Sequence, residues 1–487
     1  MIHLISYKRG YLSKSIALNN NYFSLYLNTL TQSSLPSYKM KSNFLFILLF
    51  FQITLGQAQE NQVFCTSDIP SDAWEDAFQM LIANRETSRS TATAYQIPVI
   101  FHIIHGGENV GTFPNIEAQQ VNSQIVVLNQ DYAGTGLNVS SYPTNAFVNW
   151  AINQAIPSAN LDNLGRIKIA NSEIQFCLAQ VNAAGVALAE PGIERINYIE
   201  RGWQNPNVFA TNQDLRDFID DVVKPQTIWD ATKYLNIWVT DKSATLNARG
   251  FATPPPLSGL AGIPVNATTS LNDGVWCYAM SVGSYLLYPS GNYVNTDVSG
   301  RLLTHEIGHY LGLRHIWGDG NCFTDYCNDT PSQADPSAGN PTYPQGVGSC
   351  SAPRNAPDGK MFMNFMDYTA NDSMYMFTTD QVTRMQTAMA NSPQRNQLGT
   401  HGICSSLAVA DQTMATLKLY PNPTSDTIVV DDPENHIDFI EIYTLLGQKI
   451  ATTTNKTISL QSAPTGIYLL KLYLKNNTTQ VFKIIKK

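Results

Sequence analysis

The chain has 487 residues, of which 43% are hydrophobic and 14% charged; that is room for about two to four folded units and too apolar for general disorder. A formal net charge of −8 without a long Lys/Arg run excludes an extended nucleic-acid-binding surface. Seven cysteines are too few for a disulfide-built scaffold, and their odd number leaves at least one unpaired or removed with a processed segment.

Residues 40–58 read as a secretory signal peptide: Lys41 gives a basic start, Phe44–Leu55 an apolar run too short to span a bilayer, and Gly56-Gln57-Ala58 a small-residue cleavage site. Such segments open a chain, so Met40 is read as the start and 1–39 as a mis-called upstream extension, the alternative being a long natural n-region. Export makes disulfides possible. Residues 59–90 are read as a propeptide, with Cys65, a helix over Asp72–Ala83 and a polar Arg85–Arg89 stretch where a cut would release it.

A larger unit spans 91–404. Ile97–His105 is a β-branched run predicting a buried strand, with His102 and His105 as core or strand-end residues. Ile116–Leu128 predicts a helix, Ile174–Leu178 and Tyr234–Val239 two strands, and 140–170 an inserted loop region. Gly274–Ala279 predicts the strand at the cleft edge, where an extended peptide would add by β-augmentation. Cys177 and Cys277 sit in apolar strand contexts and read as buried free thiols, with a mutual disulfide as the alternative.

The stretch His305–His315, H-E-I-G-H-Y-L-G-L-R-H, carries the chemistry. On a helix, residues i and i+4 share a face, so His305 and His309 can put two imidazoles on one ion. Gly312 lets the chain leave the helix through a conformation that a β-carbon resists, which swings His315 back as a third ligand. Three imidazoles and a water make an open catalytic zinc site, with Glu306 placed to take the water's proton. An unpaired Cys65 upstream is then either a thiolate that occupies the open zinc position or a structural half-cystine.

Downstream, Asp325, Asp329 and Thr330 concentrate hard oxygen ligands, which fits either a structural calcium site or a solvated acidic turn. Cys322 and Cys350 bracket this loop and could staple it. Thr378 and Gln381 have capping-box spacing before a Val382/Met385/Met389 stripe. Cys404 ends the unit and 405–416 is a linker. Residues 417–487 change character, with short alternating strands at Phe439–Tyr443, Lys449–Thr452, Ile467–Leu474 and Phe482–Ile485 and turns at Leu446–Gln448 and Pro464–Gly466; this pattern predicts a small all-β sandwich.

Through His305, Glu306, His309, Gly312 and His315, then Trp317-Gly318-Asp319, Asp329-Thr330-Pro331 and Met366 with Tyr368 in N-F-M-D-Y, the chain resembles the metzincin zinc metalloproteases, and within them the pappalysin (ulilysin-like) family. The resemblance implies an α/β (α+β) zincin domain over 91–404, with a twisted mixed sheet and an active-site helix. It implies that Met366 forms a turn beneath the zinc and that Tyr368 stabilises the tetrahedral intermediate. It favours Cys65 as a latency cysteine, although Thr66 follows where relatives often have glycine. Relatives also carry cysteines near Asn340 and Ser373 as a further disulfide, and both are absent here. Residues 417–487 resemble the sorting domains of the type IX secretion system, through Y-P-N-P-T-S-D, I-Y-T-L-L-G-Q and G-I-Y-L-L-K-L.

The function expected is a secreted or surface-anchored, monomeric zinc endopeptidase acting on extracellular polypeptides, delivered by the type IX machinery. A processing protease with one target, or a retired protease that only binds, are the alternatives. Ser373-Met374-Tyr375-Met376 would offer sulfur and aromatic surface for larger apolar substrate side chains.

Overall fold

The computed structural model describes residues 65–487 except 88–93, 183, 257–270, 296–297, 352–353, 402, 405–416, 433–434, 445–448 and 476–478. The upstream extension, the signal peptide, Arg89, the 405–416 linker and the turn at Leu446–Gln448 lie outside the described residues.

Helix α1, Asp72–Thr87, begins where the Ser71 hydroxyl accepts from Trp74 N (3.3 Å), with Asp72 and Glu75 in the first turn and Arg85 in the last. Trp74, Ala77 and Phe78 recur at helical spacing and are buried against Ala388. The spacing therefore buries one face of a helix that precedes the catalytic-type unit. Glu75 is buried among them, and its Oε1 pairs with Arg314 (2.8 Å) and Arg384 (3.0 Å).

The central sheet runs β2 (Ile174–Leu178), β1 (Tyr95–His105), β4 (Leu235–Thr240), β6 (Val275–Tyr278), β5 (Gly250–Ala252), and β3 (Ile193–Asn197) pairs with the second half of β1. All pairings are parallel except β5 with β6, so the sheet is mixed. Helix α2, Ala118–Tyr132, packs on β2 and contributes Val121, Val127 and Leu128 to the core.

Three sequence expectations change here. The cleft-edge strand is β5, while β6 lies inside the sheet between β4 and β5. Three residues are too few to show a strand period, so β5 left no trace in the pattern. Residues 140–170 include a helical turn at Val148–Asn153, and Phe147 and Trp150 enter a second core with Ile316, Trp317 and Met363. Cys177 is not a free thiol: it is bonded to Cys404 across 227 positions, tying the outer strand β2 to the end of this unit. No local pattern reports a partner that distant. Cys277 is buried and free, as is Cys327, and Cys322 pairs with Cys350.

In the C-terminal unit, β10 (Lys449–Thr453), β9 (Ile437–Thr444), β12 (Gly466–Leu474) and β13 (Thr479–Lys486) form one sheet. A second contains β11 (Thr457–Ser459), β8 (Thr427–Asp431) and β7 (Lys418–Tyr420). Tyr468, Leu470, Leu472 and Leu474 alternate inward along β12 and share one core with Ile428 and Val430 of the other sheet, which makes a sandwich.

Candidate metal centre

Helix α3, Asn212–Phe218, precedes a π-turn, and helix α4, Arg301–Tyr310, is buried along its whole length. It ends through Gly312 at φ +93°, with Leu313 N bonded to Gly308 O (2.9 Å). That left-handed exit is open to glycine at little steric cost. It returns the chain so that His315 Nε2 lies 3.1 Å from His309 Nε2, which in turn lies 3.1 Å from His305 Nε2.

The protonation of these rings follows from their partners. His305 Nδ1 faces Phe365 O (2.7 Å), His309 Nδ1 faces Leu313 O (2.9 Å) and His315 Nδ1 faces the Asp319 carboxylate. Each partner can only accept, so each Nδ1 carries hydrogen and each Nε2 turns a lone pair toward the others. Burial and the neighbouring rings hold His305 well below the usual imidazole range and His309 at about 3. Three neutral imidazoles converging lone pair to lone pair repel one another unless a cation lies among them. The donor set fits zinc.

Around it stand the other residues singled out in the sequence. Glu306 is buried; its Oε2 accepts from Cys65 Sγ (3.3 Å) and Ser67 Oγ (3.0 Å), and its Oε1 has no hydrogen-bond partner. Burial raises its carboxyl to about 8 against the hydrogen bonds of Cys65 and Ser67 and the charge of Arg216. A cation among the imidazoles would pull it back down. Tyr368 Oη is 3.1 Å from His315 Nε2 and donates to Cys65 O (3.1 Å). Met366 lies under α4: a β-carbon on Gly308 would sit 2.5 Å from its sulfur. Cys65 completes the group, its Sγ and the three imidazole nitrogens all lying within 4.8 Å of one another.

The suggested calcium ligands are arranged otherwise. Both Asp325 oxygens accept from Thr330 Oγ1 (2.8 and 2.9 Å), while Asp329 accepts from Thr378 Oγ1, Asp380 N and Asn160 Nδ2. They are buried rather than solvated, and protein donors reach their oxygens. Among the described residues, only the Cys65 group brings three or more His, Cys, Asp or Glu ligand atoms together. Met374, Tyr375 and Met376 are buried in the two cores, so the expected apolar substrate surface is not there. Where the family resemblance implies a further disulfide, Ser373 Oγ donates to Asn340 Oδ1 (2.9 Å).

Residues that sequence reasoning missed are Ser67, Gly250 and Gly308. Gly250 lies against Glu306, whose Oε1 a β-carbon would meet at 2.5 Å. Asp319 stood out only through the family likeness.

A model of the peptidase M43 family, described as pregnancy-associated plasma protein-A, matches residues 217–390. This chain carries an M43 peptidase domain. A secretion system C-terminal sorting domain matches 418–487. The chain is similar to extracellular metalloprotease 1 of Coccidioides posadasii, 38% identical over 133 residues, which is 26% of this chain and 43% of that protein. An extracellular metalloprotease of Neurospora crassa is 37% identical over 129 residues, 26% of this chain and 42% of its own length. The chain thus matches under half the length of these relatives. Among solved structures, a mutant of Tannerella forsythia promirolysin superposes with a TM-score of 0.50 at 26% identity, covering 69% of this chain and 97% of that one. The M43 domain of this chain therefore has the mixed-sheet fold of that protein. No helix among the described residues is long and apolar enough to cross a membrane.

Proposed function

We propose that this chain is a secreted zinc endopeptidase made as a latent precursor. The observation that carries the reading is the convergence of three Nε2 lone pairs beside a buried carboxylate. His305, His309 and His315 would hold zinc, which when bound supplies the Lewis acidity that brings a water's pKa toward about 7. Glu306 accepts the water's proton as it attacks the scissile carbonyl and later returns it to the leaving amine. The Tyr368 hydroxyl, already a donor to a backbone carbonyl (Cys65 O), donates to the oxyanion. Asp319 and the carbonyls of Phe365 and Leu313 hold the rings in the tautomer that binds metal.

In the precursor, Cys65 closes the site. Its sulfur sits with the imidazoles, Thr66 N bonds Gly250 O on β5 (3.1 Å), and Ser67 occupies Glu306. The sorting domain supports export through the type IX machinery. Zinc content and casein hydrolysis, measured before and after the leader is removed, test the reading. Zinc bound with hydrolysis only after removal is the expected result. Absence of zinc sinks it, and zinc without hydrolysis of any polypeptide favours a retired, binding-only scaffold.

A further inference from the structure

The leader segment Cys65–Asp68 touches the cleft with the groups that a peptide substrate would bring. Its backbone bonds the edge strand at Gly250 O, its Cys65 carbonyl accepts from Tyr368, and Ala252 N donates to Ser67 Oγ (2.8 Å). One further contact has no role in the chemistry described so far. Arg216 of α3 donates from Nη1 to Thr66 O (2.6 Å) and from Nη2 to the Asp68 carboxylate (2.6 Å).

Arg216 is held in place without the leader. Asp220, one turn along, reaches its Nε at 3.4 Å, and its guanidinium lies 5.0 Å over the ring of Phe251 in β5. Both Nη donors meanwhile point at leader atoms. When the leader departs, those two donors remain beside the edge strand, set for one backbone carbonyl and one carboxylate. Such paired donors suit a carboxylate bidentately or a carboxylate and carbonyl together.

Resting on the endopeptidase reading, we infer that Arg216 is a specificity-determining residue, selecting substrates with an aspartate or glutamate about three residues from the scissile bond, where Asp68 of the leader now stands in. Asp68 follows Cys65 by three positions, which fixes the reach but not the side of the bond. The Asp68 carboxylate is 65% exposed and the Arg216 side chain 14%. The selection is therefore that of a partly screened pair, worth about fivefold in rate.

The test uses the full chain after leader removal and peptides carrying aspartate or asparagine at single positions on each side of a cleaved bond. The expected result is a kcat/KM ratio of about five for aspartate over asparagine at one position, shrinking in 0.5 M salt. Arg216→Gln should bring the ratio to one, and Arg216→Lys should restore part of it. Equal cleavage of both peptides by the unaltered enzyme, or a ratio that survives Arg216→Gln, overturns the inference and leaves Arg216 as a clamp for the leader alone. Should the Gln variant fail to fold, the ratio and its salt dependence in the unaltered enzyme still decide. If no peptide is cut at all, the endopeptidase reading falls and this inference with it.

Discussion

At the scale of single residues, Glu306 and Tyr368 are separable. The Glu306 carboxylate bonds Cys65 and Ser67 and is not among the clustered ligand atoms, so Glu306→Gln should retain zinc while hydrolysis falls about 10²–10⁴-fold. Zinc analysis beside a caseinolysis assay checks both halves, and near-normal turnover would remove Glu306 from its role as base. Tyr368 stands 3.1 Å from His315 Nε2, so it could be a ligand or a donor to the reacting carbonyl. As a donor, Tyr368→Phe should lower kcat about 10²-fold and leave zinc affinity within a few-fold; equal losses in both would make it a ligand. The three histidines, Glu306 and Gly312 were legible because helix periodicity and one glycine fix their geometry locally. Gly308 and Gly250 were not, since what each makes room for, Met366 and Glu306, comes from elsewhere in the chain.

At the scale of elements, α1 is more than a tether for Cys65. Its Glu75 is buried between Arg314, the residue before the third imidazole, and Arg384, which also donates to Gly312 O (2.8 Å). Taking one charge out of such a buried group costs about 3–5 kcal/mol, because the others are left without a partner. Glu75→Gln should therefore loosen α1, and the uncut precursor should hydrolyse casein where the unaltered precursor does not. Silence in that assay, with a thermal midpoint unchanged, would mean that Cys65 and its neighbours suffice for latency. The helix itself was visible from the sequence, over Asp72–Ala83. Its burial of a carboxylate was not, because both arginines lie more than 200 positions away. The edge strand β5 escaped for the opposite reason: it is too short to show any pattern.

At the scale of the molecule, the Cys177–Cys404 bond joins the outer strand β2 to the end of the M43-bearing unit. Long closed loops restrict the unfolded chain most, so replacing both cysteines by serine should lower stability by about 2–5 kcal/mol. A calorimetric midpoint that does not move would place the restraint in the sheet packing instead. Where the family resemblance implies a further disulfide, a hydrogen bond from Ser373 to Asn340 links the two segments.

Proteolysis of this chain between Cys177 and Cys404 leaves a particular signature. Because the sulfur link spans 227 positions, a nick anywhere between its ends yields two pieces still fastened together. On a gel run without thiol such a molecule migrates as though whole, and only a reduced lane reveals the fragments.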